Sequence, residues 1–512
     1  MLIKVSLLLI FALITVFIGF YCRKNASDVN SFVLAGRSVG PWLTAFAYGT
    51  SYFSAVVFVG YAGQFGWKFG MAATWIGLGN AFIGSLLPWI VLGRRTRLMT
   101  HHMDSATMPE FFGSRFDSKS IKIGASIIIF IFLIPYTASL YNGLSRLFAM
   151  AFGIDFTVCI VAMAVLTGVY VIVGGYLATA INDFIQGLVM LAGIVAVIAV
   201  MLQNNGGFMA AIDGLARVED AAVSSSPGVF ASFFGPDPLS LLGVVILTSL
   251  GTWGLPQMVQ KFYSIRSEKA ISKGAVISTI FATVVAGGSY FLGSFGRLYS
   301  DVVDVNANGF DSIIPTILSG FPTVLIGIVV ILVLSASMST LSALVMTSAS
   351  TFTLDFLKGN IIKNMSDKAQ LAIIRALIVA FIAISSVIAT IQYKGGISFI
   401  AQLMGISWGT LAGAFLAPLL FGLYWKRTSK AAVWSCFVFA TVLMVLNIFF
   451  RASFPTVLQS PINAGAFTML AGFVIVPVVS MLTKAPEKHF VDSCFACYEE
   501  TVQVKVSDDL GN

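Results

Sequence analysis

Apolar residues run in blocks of about 20 along nearly the whole chain, and a block of that length crosses a bilayer as an α-helix. About thirteen such windows stand out, at 2–22, 40–66, 71–93, 121–152, 156–176, 180–202, 239–262, 271–297, 321–356, 370–392, 396–425, 429–450 and 463–483. The gaps between them test the count, because Lys and Arg collect in alternate, cytoplasmic gaps. Arg94, Arg95 and Arg97 follow the third window. Lys261, Arg266, Lys269 and Lys273 surround the gap after the seventh. Lys358, Lys363 and Lys368 follow the ninth, and Lys426, Arg427 and Lys430 the eleventh. The long gap 203–238 carries Arg217 against Asp213, Glu219, Asp220 and Asp237, so it reads as extracellular. The first window is long for a signal peptide and lacks a small-residue cleavage motif. Arg23 and Lys24 also flank its C-terminal side, so it reads as a retained helix. These expectations place the N-terminus outside and the C-terminus in the cytoplasm.

Composition agrees with a multi-pass membrane protein. Of 512 residues, 58% are hydrophobic and 10% charged, against about 25% charged in an average soluble domain. The net charge of +8 sits in short clusters between apolar runs. That points to the lipid bilayer as the partner, not to nucleic acid. Cys22, Cys159, Cys436, Cys494 and Cys497 are scattered and form no disulfide framework. Cys494 and Cys497 make a lone C-x-x-C in the tail, which normally needs further ligands to hold a metal. His101 and His102 have no paired nucleophile and no phosphate-binding glycine loop is present, so an enzyme is not expected.

Polar residues at membrane depth mark candidate chemistry. Ala47 to Ser54 contains Gly49, Thr50, Ser51, Tyr52 and Ser54. An unwound turn there would free carbonyl and hydroxyl oxygens, the ligands of a hard cation. Ser335, Ser339 and Ser342 recur at i, i+4 and i+7 on one helix face, with Thr340 beside them. Asp183 is a carboxylate near a membrane helix, a costly placement and so a functional candidate. Gly251, Gly254 and Pro256 interrupt the seventh window. That break and the one near Gly49 lie five windows apart. This spacing predicts two five-helix halves, 40–202 and 239–425, with binding at the breaks. Residues 1–39 would add an N-terminal helix and a loop, 203–238 an external loop, 426–484 two C-terminal helices, and 485–512 a cytoplasmic tail.

Leu34 to Trp42, Met108 to Phe116, Gly174 to Ala178 with Asp183 and Gln186, Gly254 to Pro256 with Lys261 and Phe262, and Met338 to Ser342 follow one another in a distinctive order and spacing. By these segments the chain resembles the sodium/solute symporter family, and within it the bacterial sodium/proline symporters. The resemblance implies an all-α, leucine-transporter-type core of two inverted five-helix repeats with added helices at both ends. It also implies Na+ held by the carbonyls of Thr50, Phe53 and Ala336 and the hydroxyls of Ser339 and Thr340. Some relatives hold a second Na+ with an aspartate and three serines. Asp183, Ser339 and Ser342 match that set, but the third serine is Ala343, so Asp183 and Ser342 stand as a second-cation or proton position only. The expected solute pocket takes in Ser51, Tyr52, Ser54, Tyr136, Thr248, Thr252 and Trp253. The proline symporters carry an aspartate in place of Tyr52 and aromatic residues in place of Thr248 and Thr252. Arg37 matches the family and is a candidate gate. The expected function is Na+-coupled import, by alternating access across the plasma membrane, of a small solute such as proline or a related carboxylate-bearing metabolite. Proton coupling through Asp183 and a non-transporting solute sensor are the alternatives.

Overall fold

The computed structural model describes residues 2–224, 226–358, 360–394 and 400–499. Among them no β-strand forms. Inside a bilayer each backbone N–H and C=O must be satisfied within the protein, and helices do this segment by segment. In chain order the main helices are α1 (Leu2–Cys22), α2 (Pro41–Tyr52), α3 (56–69), α4 (74–102), α5 (Met108–Arg115) and α6 (Lys119–Phe152). Then come α7 (Phe156–Asn204), α8 (Pro238–Gly254), α9 (Pro256–Ser264), α10 (Glu268–Ser294) and α11 (Thr323–Leu357). The last are α12 (Asp367–Lys394), α13 (Ile400–Tyr424), α14 (Lys430–Phe449), α15 (Pro461–Leu482) and α16 (Lys488–Phe495).

By length and composition ten stretches among the described residues can cross a membrane, or eleven if the bent pair α8–α9 counts as one. The sequence windows number about thirteen, and the difference has a local cause. The windows 156–176 and 180–202 fall inside the single 49-residue α7. A straight helix of that length would be about 73 Å long, more than twice the ~30 Å hydrocarbon core. It turns at Gly175, whose φ of 60° and ψ of −158° only glycine adopts freely. The windows 40–66 and 71–93 are likewise divided differently, because α3 runs with α4 through Gly70 as one apolar stretch, Val56–His102. The window 396–425 begins among residues outside those described, and α13 starts at Ile400. Residues 500–512 of the expected tail also lie outside them.

Helix ends follow local chemistry. Asp237 caps α8, with Pro238 at its first position. Thr107 caps α5 through the Glu110 N–H, and the Glu110 carboxylate accepts from Ala106 N at 2.9 Å. Both central breaks begin at an extended residue, Phe53 (φ −86°, ψ 121°) after α2, followed by Ser54 outside the helix, and Leu255 (φ −76°, ψ 124°) after α8; the first break thus falls four residues beyond Gly49, which stays helical. Pro256 cannot donate a backbone hydrogen bond, and α8 and α9 meet there at 43°.

Packing is closest where small residues face each other. A Cβ on Gly66 would lie 1.9 Å from the Gly293 carbonyl oxygen, so α3 and α10 touch backbone to backbone. The middle of α11, from Leu332 to Thr351, is wholly buried, which makes it a central helix of the bundle.

Two ends of the molecule differ in charge. At one end Arg97 binds the carbonyls of Ile265 and Arg266, Arg95 that of Leu423, and Arg94 pairs with Glu268. At the other end Arg297 pairs with Asp220 at 2.9 Å and Lys68 with Asp237 at 3.2 Å. The loops that carry the alternating positive charge therefore gather on one face, here termed the basic face.

Candidate functional site

The break at Phe53 redistributes backbone hydrogen bonds, and α11 supplies the new partners. Ala55 N donates to Ser337 Oγ at 3.2 Å, and Val56 N to Ser54 Oγ at 3.2 Å. Thr50 lies in the last turn of α2, where carbonyls lack an intrahelical donor. Thr340 Oγ1 lies 3.0 Å from the Thr50 carbonyl oxygen, 3.2 Å from that of Phe53 and 3.1 Å from that of Ala336. Ser339 Oγ donates to Thr50 Oγ1 at 2.7 Å, and Thr50 Oγ1 donates to Phe46 O at 2.8 Å. All five residues assigned to the Na+ set from the sequence thus meet at one point between α2 and α11. A hydroxyl carries a single hydrogen, so Thr340 cannot serve three carbonyls at once. The cluster holds more acceptors than donors, which is the chemistry of a site for a hard cation.

Asp183, on α7, is 1% exposed, and neither carboxylate oxygen has a hydrogen-bond partner among the described residues. Lys261 of α9, itself buried, and Ser339 of α11 lie in its neighbourhood. Ser342 is buried and donates to Ser339 O at 2.8 Å. Gln186, three residues after Asp183, is 1% exposed, and neither of its amide atoms has a hydrogen-bond partner among the described residues.

A second cluster lies beyond the break. The hydroxyls of Tyr52, Tyr136 and Tyr290 and the indole N–H of Trp408 are buried without partners among the described residues. Tyr136 and Trp408 meet edge to face at 5.8 Å, and Ser54 also lies beside Tyr136. Tyr290 has Tyr52, Tyr136 and Asn80 as neighbours. An unpaired buried hydroxyl costs roughly 1–3 kcal/mol. Several converging on one region are the signature of groups that serve a polar ligand. The other residues assigned to the solute pocket point to backbone acceptors. Ser51 donates to Ala47 O and Thr248 to Val244 O, both within their own helices. Thr252 donates to Gly84 O at 2.7 Å and Trp253 to Ile83 O at 2.8 Å, pinning α8 to α4.

Tyr290, Trp408, Ser337 and Lys261 escaped the site reading of the sequence. The two aromatics are single rings in apolar runs, where packing is the ordinary role. Ser337 lies off the i, i+4, i+7 stripe but inside the hydroxyl-rich stretch, which was the available signal. Lys261 looked like one more basic loop residue, yet it is 2% exposed.

Arg37 lies on the basic face just before α2, after two left-handed residues, Ala35 and Gly36, and is itself left-handed at φ 56°. Its guanidinium donates to Ser105 O at 2.9 Å and pairs with Asp104 at 3.5 Å. Burial holds it below the usual arginine range, with Asp104 the main opposing charge. Next to it, the buried Asp355 accepts from Thr107 at 2.6 Å and pairs with Lys122 at 3.2 Å. A polar cleft of about 530 Å³ opens there, lined by Arg37, Asp104, Glu110, Lys122 and Lys358 among others. The tail helix α16 also docks on this face. Arg115 is fully buried, binds Gly422 O and Trp425 O, and stacks on Phe495 at 5.0 Å. Burial pushes its guanidinium down to about 10. Cys494 and Cys497 are buried and unbridged, and no metal-binding cluster of His, Cys, Asp or Glu occurs among the described residues.

Comparison with known proteins places this arrangement. The model of the sodium:solute symporter family matches residues 32–438. The osmoregulated proline transporter OpuE of Bacillus subtilis is 29% identical over 476 residues, covering 92% of this chain and 93% of that protein. The sodium/proline symporter of Staphylococcus aureus is 28% identical over 493 residues, with 93% and 92% covered. Among solved structures, a substrate-bound, outward-open Na+-coupled sialic acid symporter superposes with a TM-score of 0.72 at 17% identity. The superposition covers 95% of this chain and 99% of that one. The fold is thus the leucine-transporter type with its broken central helices, and the protein is a multi-pass membrane transporter, not an enzyme. The chain belongs to the sodium:solute symporter family.

Proposed function

We propose that this sodium-coupled symporter imports an amino acid, proline being the first candidate, with Na+ held between α2 and α11. The observation that carries the ion position is the convergence of the Thr50, Phe53 and Ala336 carbonyls on the Thr340 hydroxyl, with Ser339 beside it. A cation there attracts oxygens from both helices and favours the state in which the break in α2 rests against α11. The solute then binds beyond the break, against Tyr52, Ser54, Tyr136, Tyr290 and Trp408. The positive end of a half-helix suits a substrate carboxylate. Relatives named for proline transport support the substrate class. Tyr52, Thr248 and Thr252, which replace an aspartate and aromatic residues, tune the pocket within that class. Ser51 and Trp253 act as supports of the broken helices.

In this reading the basic face is cytoplasmic, the N-terminus is outside and the C-terminus inside the plasma membrane. Repeats 40–202 and 239–425 rock against each other around the site. Arg37, with Asp104 and Ser105, closes the inner path. At about −100 mV an inward Na+ contributes roughly 2.3 kcal/mol before any concentration gradient, enough to concentrate a neutral solute.

The test is the thermal stability of the purified protein across amino acids, carboxylates and sugars, in Na+ and in K+. A ligand that binds only the folded state raises stability by mass action. Proline or a related amino acid should act in Na+ alone, and Ser339→Ala with Thr340→Ala should abolish the effect. Equal behaviour in Na+ and K+, with a response to acid instead, would replace the Na+ position by proton coupling at Asp183.

A further inference from the structure

On the basic face, where α14 enters the apolar layer and α15 leaves it, lies a cavity of about 550 Å³. Three parts of the chain wall it: the end of α5, the start of α14 and the residues after α15. Each brings a group suited to an anion. Arg115, at the end of α5, is fully buried, and burying a guanidinium without a counter-charge is costly. Its Nε donates to Gly422 O at 2.8 Å and its Nη2 to Trp425 O at 3.2 Å, while Nη1 has no hydrogen-bond partner among the described residues. Lys430 and Ala431 open the 20-residue α14, so their backbone N–H groups have no intrahelical acceptor. Ser429 caps the same helix through Ala432 N at 3.2 Å, and its hydroxyl bonds Thr483 Oγ1 at 2.7 Å, which fixes the start of α14 to the end of α15.

The charges around the cavity differ in depth. Lys430 and Lys484 add ammonium groups, and Asp117 and Glu487 add carboxylates, so cations outnumber anions three to two. Both carboxylates are exposed, and Asp117 is engaged by Lys430 at 3.3 Å. The buried charge is that of Arg115. Just before this point α15 carries Val474, Val478, Met481 and Leu482, which are 47–81% exposed. A soluble anion needs no such apolar face, whereas the acyl chains of a phospholipid do. We propose that the cavity binds the phosphate of an anionic phospholipid headgroup, whose acyl chains lie along α15. The phosphate oxygens accept from the first N–H groups of α14 and from Lys430 and Lys484, and the headgroup's charge balances Arg115. The bound lipid joins α5 and α14 to residues 483–490, from which α16 extends. The site shares no residue with the ion and solute positions proposed above.

The experiment is lipid titration of the purified full chain in detergent, read by native mass spectrometry and by melting temperature. The probes are dioleoylphosphatidylglycerol, dioleoylphosphatidylcholine and inorganic phosphate. Phosphatidylglycerol should be retained as a tightly held lipid and raise the melting temperature. Phosphatidylcholine should do neither at the same concentration. Lys430→Gln with Lys484→Gln should weaken phosphatidylglycerol binding roughly 10- to 30-fold, since each basic residue beside a lipid phosphate contributes several-fold. Lys363→Gln with Lys368→Gln, two exposed lysines of another loop, should leave binding unchanged. If the first double variant does not fold, Lys484→Gln alone, at an exposed position, should weaken binding roughly 5-fold. Equal binding of the two lipids, wild-type affinity in the folded Lys430 and Lys484 variant, or an equal loss in the Lys363 and Lys368 control would each overturn the proposal. Stabilisation by inorganic phosphate alone, lost in the Lys430 and Lys484 variant, would overturn the lipid and make the ligand a soluble phosphate.

Discussion

Replacing Thr340 by valine removes one hydroxyl and keeps the side-chain shape. In the structure that oxygen lies 3.0–3.2 Å from the carbonyls of Thr50, Phe53 and Ala336. The site is wholly buried, so water does not take over the lost contacts. A hydrogen bond or ligand contact involving a charged group is worth about 1.5–3 kcal/mol. The Na+ concentration for half-maximal stabilisation should therefore rise roughly 10- to 150-fold in Thr340→Val. Solute affinity at saturating Na+ should change far less, because the Thr340 hydroxyl is turned to the carbonyls of Thr50, Phe53 and Ala336. The readout is melting temperature against Na+ concentration at constant ionic strength, repeated with solute. Ser339→Ala should give a shift of similar size. The double variant should fall short of the sum, since both hydroxyls serve one ion. A folded Thr340→Val protein whose Na+ dependence moves by less than threefold would refute the assignment.

Further consequences follow from packing and burial. Gly66→Ala puts a Cβ 1.9 Å from the Gly293 carbonyl oxygen, and neither backbone can yield cheaply. Overpacking of this kind costs about 1–3 kcal/mol or more, so the variant should give little folded protein by size-exclusion chromatography. Arg115→Met removes the cation that binds Gly422 O and Trp425 O and stacks on Phe495. It should lower the melting temperature and expose residues 488–498 to limited proteolysis. Asp311, in the segment before α11, is raised by burial from its ordinary 3.8 to about 6, with Arg146 the main opposing charge. Because the folded protein holds that proton more tightly than the unfolded chain, stability should increase as pH falls through 6 and level off below about 4. The shift corresponds to roughly 3 kcal/mol. Asp311→Asn should remove that pH dependence in thermal scans between pH 4 and 7.5.

Much of the architecture was readable because lipid imposes a simple rule, a block of apolar residues for each crossing. The alternation of Arg94–Arg97, Lys358–Lys368 and Lys426–Lys430 with the acidic 203–238 loop showed which gaps share a face, and those groups do meet at one end of the structure. The break at Leu255 was legible, since Pro256 is a poor residue for a helix interior; the one expected near Gly49 falls instead at Phe53 and Ser54, because Gly49 continues α2 as an ordinary helical residue. Hydropathy could not say where one helix stops within a longer apolar run. It does not distinguish Gly175, with its left-handed backbone, from the many glycines that continue a helix. The ion ligands could be named because serine and threonine are rare enough on an apolar face to form a visible stripe. Tyr290, Trp408 and Lys261 lack such a mark. Their role depends on neighbours up to hundreds of residues away, such as Tyr136 beside Trp408 and Asp183 near Lys261. Local pattern carries no record of those meetings.

The most direct test of the account is solute uptake into proteoliposomes of the purified protein, with a Na+ gradient as the sole driving force. Labelled proline should accumulate above equilibrium when Na+ is high outside and the interior is negative. Accumulation should collapse when K+ replaces Na+, and Thr340→Val should need a correspondingly higher Na+ concentration. Accumulation that follows a proton gradient and ignores Na+ would contradict the account, as would Na+-driven uptake unaltered in Thr340→Val.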